Sequence, residues 1–409
     1  MDKNKRLTVW LPVIIAASIA LGIFIGNHYL SISQGKKRSY SSGNKINAIL
    51  DIIDEQYVDT VSMSKLVEST IPKIFSELDP HSVYIPAEDA SVVNEELEGS
   101  FSGIGVSFNM QTDTILVISV ISGGPAEKAG LLPFDRIISI NDSIFSGKKK
   151  NQGEIMKTLR GAKNSTVKLG VQRGNSPELL YFDVTRGDVP VNSVDVSYEA
   201  AKGIGYIKVS KFARNTYNEF ITAIAKLKQA GCTSFVIDLR GNTGGYMDAA
   251  INMINEFMPE GRLIVYTEGK SFPRSDVYAN GTGTCKDAPI VVLTDEISAS
   301  ASEIFSGAIQ DNDRGTIIGR RTYGKGLVQT QMSLSDGSEM RLTIARYYTP
   351  SGRCIQKKYE MGNTDAYDQD IYNRYMHGEF DSADSIKMDD SLKYQTVGGR
   401  TVYGGGGIM

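Results

Sequence analysis

The chain has 409 residues, with 44 basic and 47 acidic side chains, 41 glycines and 12 prolines. That length is a prior of two to three domains, and a net charge of −3 argues against a nucleic-acid binder. Three scattered cysteines (Cys232, Cys285, Cys354) exclude a disulfide scaffold and any CxxC site, and the histidines (His28, His81, His377) are equally scattered.

Residues 1–6 are basic, and Leu7 to Gly26 then runs uncharged, long enough to span a bilayer core of about 30 Å. This predicts a single anchor over 7–30 with residues 1–6 cytoplasmic; the alternative is a cleaved signal peptide. Ser31–Asn44 reads as a polar linker. From Lys45 to about Glu98 the apolar spacing (Ile46, Ile49, Leu50, Ile53, then Leu66, Ile71, Ile74, Phe75, Leu78) is helical, broken at Asp79-Pro80, with a short helix over 87–97.

Over 99–187 the pattern changes to short strands (115–120, 136–140, 167–173, 179–185) and one helix near 153–159. From 188 strands and helices alternate. Strands are expected at 204–209, 234–239, 290–294 and 315–318, and helices at 217–230, 246–257 and 299–311, which is an α/β core. The polar stretch 362–393 reads as a surface insertion.

Common catalytic patterns fail. Gly319 to Lys325 fits GxxxxGK, but Gly326 stands where a phosphate loop needs Ser or Thr, and a strand-like run follows, so no nucleotide is expected. Ser62-Met-Ser-Lys65 and Ser146-Gly-Lys-Lys149 fit SxxK without partner motifs. Neither HExxH nor a paired Cys/His set is present, so neither metal nor cofactor is expected. No histidine falls in 188–361, and His81 reads as a structural turn residue.

Three segments remain. Ser298, Ser300 and Ser302 lie where an apolar strand turns into a helix. A hydroxyl there suits a nucleophile, and equally a helix cap with Glu303. Lys325 sits between two glycines before a strand, where period two puts Lys325, Leu327 and Gln329 on one face. As a base it must drop from about 10.4 toward roughly 7–8, which burial achieves; the plain alternative is a solvated lysine. Asp238 to Gly245 is a glycine-rich turn at a strand end, where Gly244 or Gly245 offers backbone N–H donors.

Together DLRGNTGG (238–245), SASASEIFSGAIQD (298–311), GRRTYGKGLVQ (319–329) and YYTPSGRCIQ (347–356) resemble the carboxy-terminal processing peptidases, or tail-specific proteases. The resemblance runs in order from about residue 45 to the chain end. It implies an α/β protease core (ClpP/crotonase-like) over 188–409, a PDZ domain (α+β) over 99–187 before it, and an N-terminal helical segment over 45–98. Carried over by motif, Ser300 is the nucleophile, Lys325 the base and Gln329 its orienting residue. The N–H groups of Ala301 and Gly244 become the oxyanion donors. Ser102, Gly103, Ile104, Gly105 and Val106 resemble the PDZ carboxylate-binding loop, and Phe134 stands where the family commonly has Gly.

The resemblance implies a serine endopeptidase that takes exported proteins by apolar C-terminal tails. It would be held in the bacterial inner membrane with its catalytic part in the periplasm, or secreted if the anchor is cut. A homo-oligomer or an adaptor is left open. The family also continues past the GGGGI turn, so a segment beyond Met409 is expected. The rival expectation is a catalytically inactive, membrane-tethered PDZ scaffold.

Overall fold

The computed structural model describes residues 16, 18–19, 42–111, 114–146 and 152–409. Nearly all of the expected anchor and most of the linker lie outside these residues. Among the described residues no helix is long and apolar enough to cross a membrane. The chain divides into two compact units, 1–70 and 71–409. The division falls inside the helix Met63–Ser76, beside Pro72, whose missing N–H interrupts the helical ladder.

In the first unit the helix Ser42–Gln56 buries Ala48 and leaves Ile46, Ile49 and Ile52 exposed. The second unit begins with the turn at Asp79, a short strand Val83–Ile85 and the helix Ala87–Glu98.

Within the stretch 99–187, expected as a strand-rich domain, the residues from Val106 to Thr185 carry one sheet. The sheet runs in the order Val106–Gln111, Thr114–Val120, Arg136–Ile140, Thr166–Gln172, Leu180–Thr185, with Ser143–Ile144 on the side of Arg136–Ile140. Alternating residues such as Ile115, Val117, Ile137, Val167, Leu169 and Val171 point into one core, closed by Ile155 and Leu159 of the helix Gln152–Leu159. Strands Ser100–Gly103 and Gly187–Pro190 pair antiparallel, so the chain enters and leaves this domain side by side.

The following core holds two five-stranded sheets. The first runs Val194–Ala201, Ile204–Val209, Ser234–Asp238, Ile290–Thr294, Thr316–Gly319, parallel after its first pair. The second is antiparallel: Glu339–Tyr348 pairs with Leu327–Ser333, with Val83–Ile85 and with Leu263–Glu268, which in turn pairs with Ser275–Tyr278. The helix Ala301–Asp311 touches Thr316–Gly319 of the first sheet and Leu263–Glu268 of the second. It is therefore buried on nearly every face, which is why its sequence is small and apolar all round. Phe257 joins Phe220, Phe235 and Phe305 edge-on in the surrounding core.

Two expectations change. The stretch 362–393 is mostly exposed, but the short helices Asp365–Asp368 and Asp370–Met376 bury Tyr367 and Arg374, so it is pinned to the core. The face shared by Lys325, Leu327 and Gln329 is not built: the strand starts at Leu327, and a register shift between Val328 and Gln329 breaks the two-residue alternation.

Candidate active site

The C-terminal ends of the parallel strands Ser234–Asp238 and Ile290–Thr294 deliver the glycine turn and the serine turn to the same edge of the sheet. Asn242 binds them together. Fully buried, it donates from Nδ2 to Val209 O (3.0 Å), and its own carbonyl accepts Ala299 N–H (3.0 Å) and the Ser302 hydroxyl (2.9 Å).

The three serines separate by environment. Ser298 Oγ is buried and donates to Leu239 O (2.8 Å), while buried Ser302 Oγ is taken by Asn242. Ser300 alone is partly exposed, with φ 54° and ψ −113°. Positive φ on a side-chain-bearing residue is strained, and such strain concentrates at functional turns. A Cβ on Gly244 would stand 2.8 Å from Ser300 Cβ and from Ala299 O, so glycine is needed for the two turns to meet.

Lys325 is brought to this serine through the main chain. Glu303, fully buried, accepts the Ser300 and Lys325 N–H groups on Oε2, both at 2.8 Å. Its Oε1 accepts Gly324 N–H (2.7 Å) and the Thr322 hydroxyl (2.6 Å). Burial raises the Glu303 pKa, whereas four donors on two oxygens favour the carboxylate. The Tyr347 hydroxyl lies between the carbonyls of Ser300 (3.1 Å) and Lys325.

The Lys325 amine has no hydrogen-bond partner among the described residues. Burial, then the charge of Arg341, depress its pKa against the opposing pull of Glu303 and Asp79. Among the described residues no hydrogen bond joins Lys325 Nζ to Ser300 Oγ or to Gln329. Gln329 instead donates Nε2 to the His81 carbonyl. The Gly244 N–H is likewise engaged, by Asn242 Oδ1 at 2.8 Å. The Ala301 N–H opens its helix and so lacks an intrahelical acceptor.

His81, read from the sequence as a structural turn residue, does sit in the Asp79 turn, and Tyr367 beside it is the residue that the sequence did not single out. The His81 ring meets the Tyr367 hydroxyl at 2.8 Å, and burial, followed by the nearby Lys325 charge, lowers its pKa to about 4. Arg374 donates to the Thr322 carbonyl (3.0 Å) and the Arg321 carbonyl (2.5 Å), bracing the Lys325 loop from the insertion. No grouping of His, Cys, Asp and Glu among the described residues suits a metal.

In the strand-rich domain Ser102 and Gly103 lie in the strand Ser100–Gly103, and Ile104, Gly105 and Val106 follow it. A groove of about 220 Å³ opens between Phe101 and residues 104–108 on one side and Met156, Leu159 and Arg160 on the other; the expected Ser102 and Gly103 do not line it. Val106–Gln111 is an edge strand of its sheet.

An α/β core with a strained serine and a half-buried lysine on one carboxylate, preceded by a grooved strand domain, defines a serine-peptidase class of molecule. Comparison with known proteins agrees. Residues 203–365 match peptidase family S41, and residues 102–195 match the PDZ domain. The chain is 35% identical over 318 residues to the carboxy-terminal processing protease CtpB of Bacillus subtilis (strain 168), covering 77% of this chain and 66% of that protein. It is 33% identical over 365 residues to a probable CtpA-like serine protease of Staphylococcus aureus (strain N315), covering 87% and 72%. Among solved structures, a photosystem II D1 C-terminal processing protease aligns at 28% identity and TM-score 0.43, over 76% of this chain and 90% of that one. The chain belongs to peptidase family S41, with an S41 protease core following a PDZ domain.

Proposed function

We propose that this protein is a serine endopeptidase that cleaves proteins presented by their C-terminal tails. The observation that carries this is the single oxygen of Glu303 gripping the main chains of both Ser300 and Lys325. Lys325, depressed by burial, takes the Ser300 proton as the hydroxyl attacks the scissile carbonyl. Ala301 N–H supplies one oxyanion donor. With Gly244 N–H held by Asn242, Gly245 is the other amide that the turn offers. Gln329 orients the lysine. The Ser300 and Lys325 side chains must close on one another for transfer, and apo sites commonly tighten when substrate binds.

The PDZ groove suits an extended peptide added to the edge strand Val106–Gln111, its carboxylate at Ile104–Val106 and its last apolar side chain against Leu159 and Met156. The residues 7–30 are proposed to tether the protein to the membrane with the catalytic part outside the cytoplasm; carbonate extraction of membranes from cells making the full chain tests this, release into the soluble fraction contradicting it. Cleavage of an apolar-tailed reporter is expected to be lost in Ser300→Ala and in Lys325→Ala, with thermal melting unchanged. Full activity in either overturns the mechanism, and equal inactivity of the unsubstituted chain returns the inactive scaffold reading.

A further inference from the structure

The Gln329 amide touches the main chain of a turn 248 residues away in sequence. A carbonyl only accepts, so the contact with His81 O fixes Nε2 there and leaves Oε1 as the remaining acceptor. The turn is itself tightly held. Asp79 Oδ1 accepts His81 N–H (3.0 Å), Ser82 N–H (3.1 Å) and the Thr343 hydroxyl (2.9 Å), and Oδ2 accepts the Ser82 hydroxyl (2.5 Å). Ser82 Oγ then accepts Thr343 N–H (3.0 Å). Thr343 is the residue registered opposite Gln329 across the two strands, beside the register shift. On its far side the His81 ring is fixed edge-on to Tyr367, 5.3 Å between centroids.

We infer that the turn Asp79–Ser82 is a positioning element of the active site: it holds the Gln329 amide so that Oε1 faces the lysine amine. This rests on the reading of Gln329 as the partner of Lys325. The turn contributes a main-chain oxygen to Gln329, while His81 Nε2 on the same turn meets the Tyr367 hydroxyl. Asp79 positions Gln329 at two removes, through the turn, and its charge separately raises the Lys325 pKa.

The test is steady-state cleavage of an apolar-tailed reporter by the full chain carrying Gln329→Ala, Asp79→Ala, or both. Gln329→Ala and Asp79→Ala should each lower kcat about 10-fold or more with KM within about twofold, because a small misplacement near the chemistry is costly. Compared on the pH plateau where Lys325 is neutral, so that the Asp79 charge on the lysine drops out, the double variant should be no slower than Gln329→Ala alone, since both then act through one contact. If Asp79→Ala does not fold, Thr343→Val, which removes one hydroxyl, takes its place, and Thr343→Ser should restore the rate. Multiplicative losses in the double variant, or a KM effect with kcat intact, overturn the inference while leaving the Ser300–Lys325 mechanism standing. An unimpaired Gln329→Ala overturns the role of Gln329 and this inference with it.

Discussion

Ser300 is distinguished from its neighbours by what surrounds it rather than by its own chemistry. Ser298→Ala and Ser302→Ala should each cost about 1–3 kcal/mol, because Leu239 O or Asn242 O loses a buried donor, while activity per folded molecule persists. Urea denaturation beside kcat checks both. The base role proposed for Lys325 requires a neutral amine, so kcat/KM should rise with pH through its lowered pKa. Arg341→Gln removes a charge that lowers it further, and the rising limb should therefore move to higher pH. A shift the other way contradicts the electrostatic account. Phe134 shows a cost of the sequence itself: it has φ 69° and is largely exposed, where the family commonly has Gly. Phe134→Gly should stabilise the PDZ domain by about 0.5–1 kcal/mol, as relief of left-handed strain exceeds the added freedom of the unfolded chain.

Among elements, the buried parallel strands were the most legible. Ile204–Val209 and Ile290–Thr294 appear where they are expected, the first with one buried face at Gly205, Ile207 and Val209 and the second as an unbroken apolar run. The serine turn was legible as a class; the family resemblance points to Ser300, and burial sets the same serine apart from Ser298 and Ser302. What local sequence does not carry is long-range pairing. No strand is read at 83–85 or 339–348, yet that pair brings His81 beside Lys325, and only the tertiary fold puts it there. The insertion misleads for a related reason: its polar composition hides two buried anchors. Arg374→Ala should lower both melting temperature and kcat, as Glu379 loses a buried partner and the Thr322 carbonyl a donor. Asp238 adds a pH signature. Burial raises its pKa, but hydrogen bonds from Arg240 and Tyr206 prevail and set it at about 2. Its stabilisation is complete above the unfolded carboxylate value of about 3.9 and is lost as pH falls toward 2. Asp238→Asn should flatten the melting temperature between those limits.

At the scale of the molecule, the paired strands Ser100–Gly103 and Gly187–Pro190 make the PDZ domain an excisable module on adjacent ends. Replacing residues 104–186 with a short glycine linker should abolish preference for apolar tails while sparing hydrolysis of short peptides; retained tail preference would place recognition elsewhere. One main-chain arrangement holds the site together: Glu303 joins the strained serine turn to the lysine loop across the core. The most direct test is therefore the rate at which purified wild type and Ser300→Ala cleave the same apolar-tailed protein. Cleavage by the first and none by a folded second is the expected result. Cleavage by Ser300→Ala at the wild-type rate contradicts it.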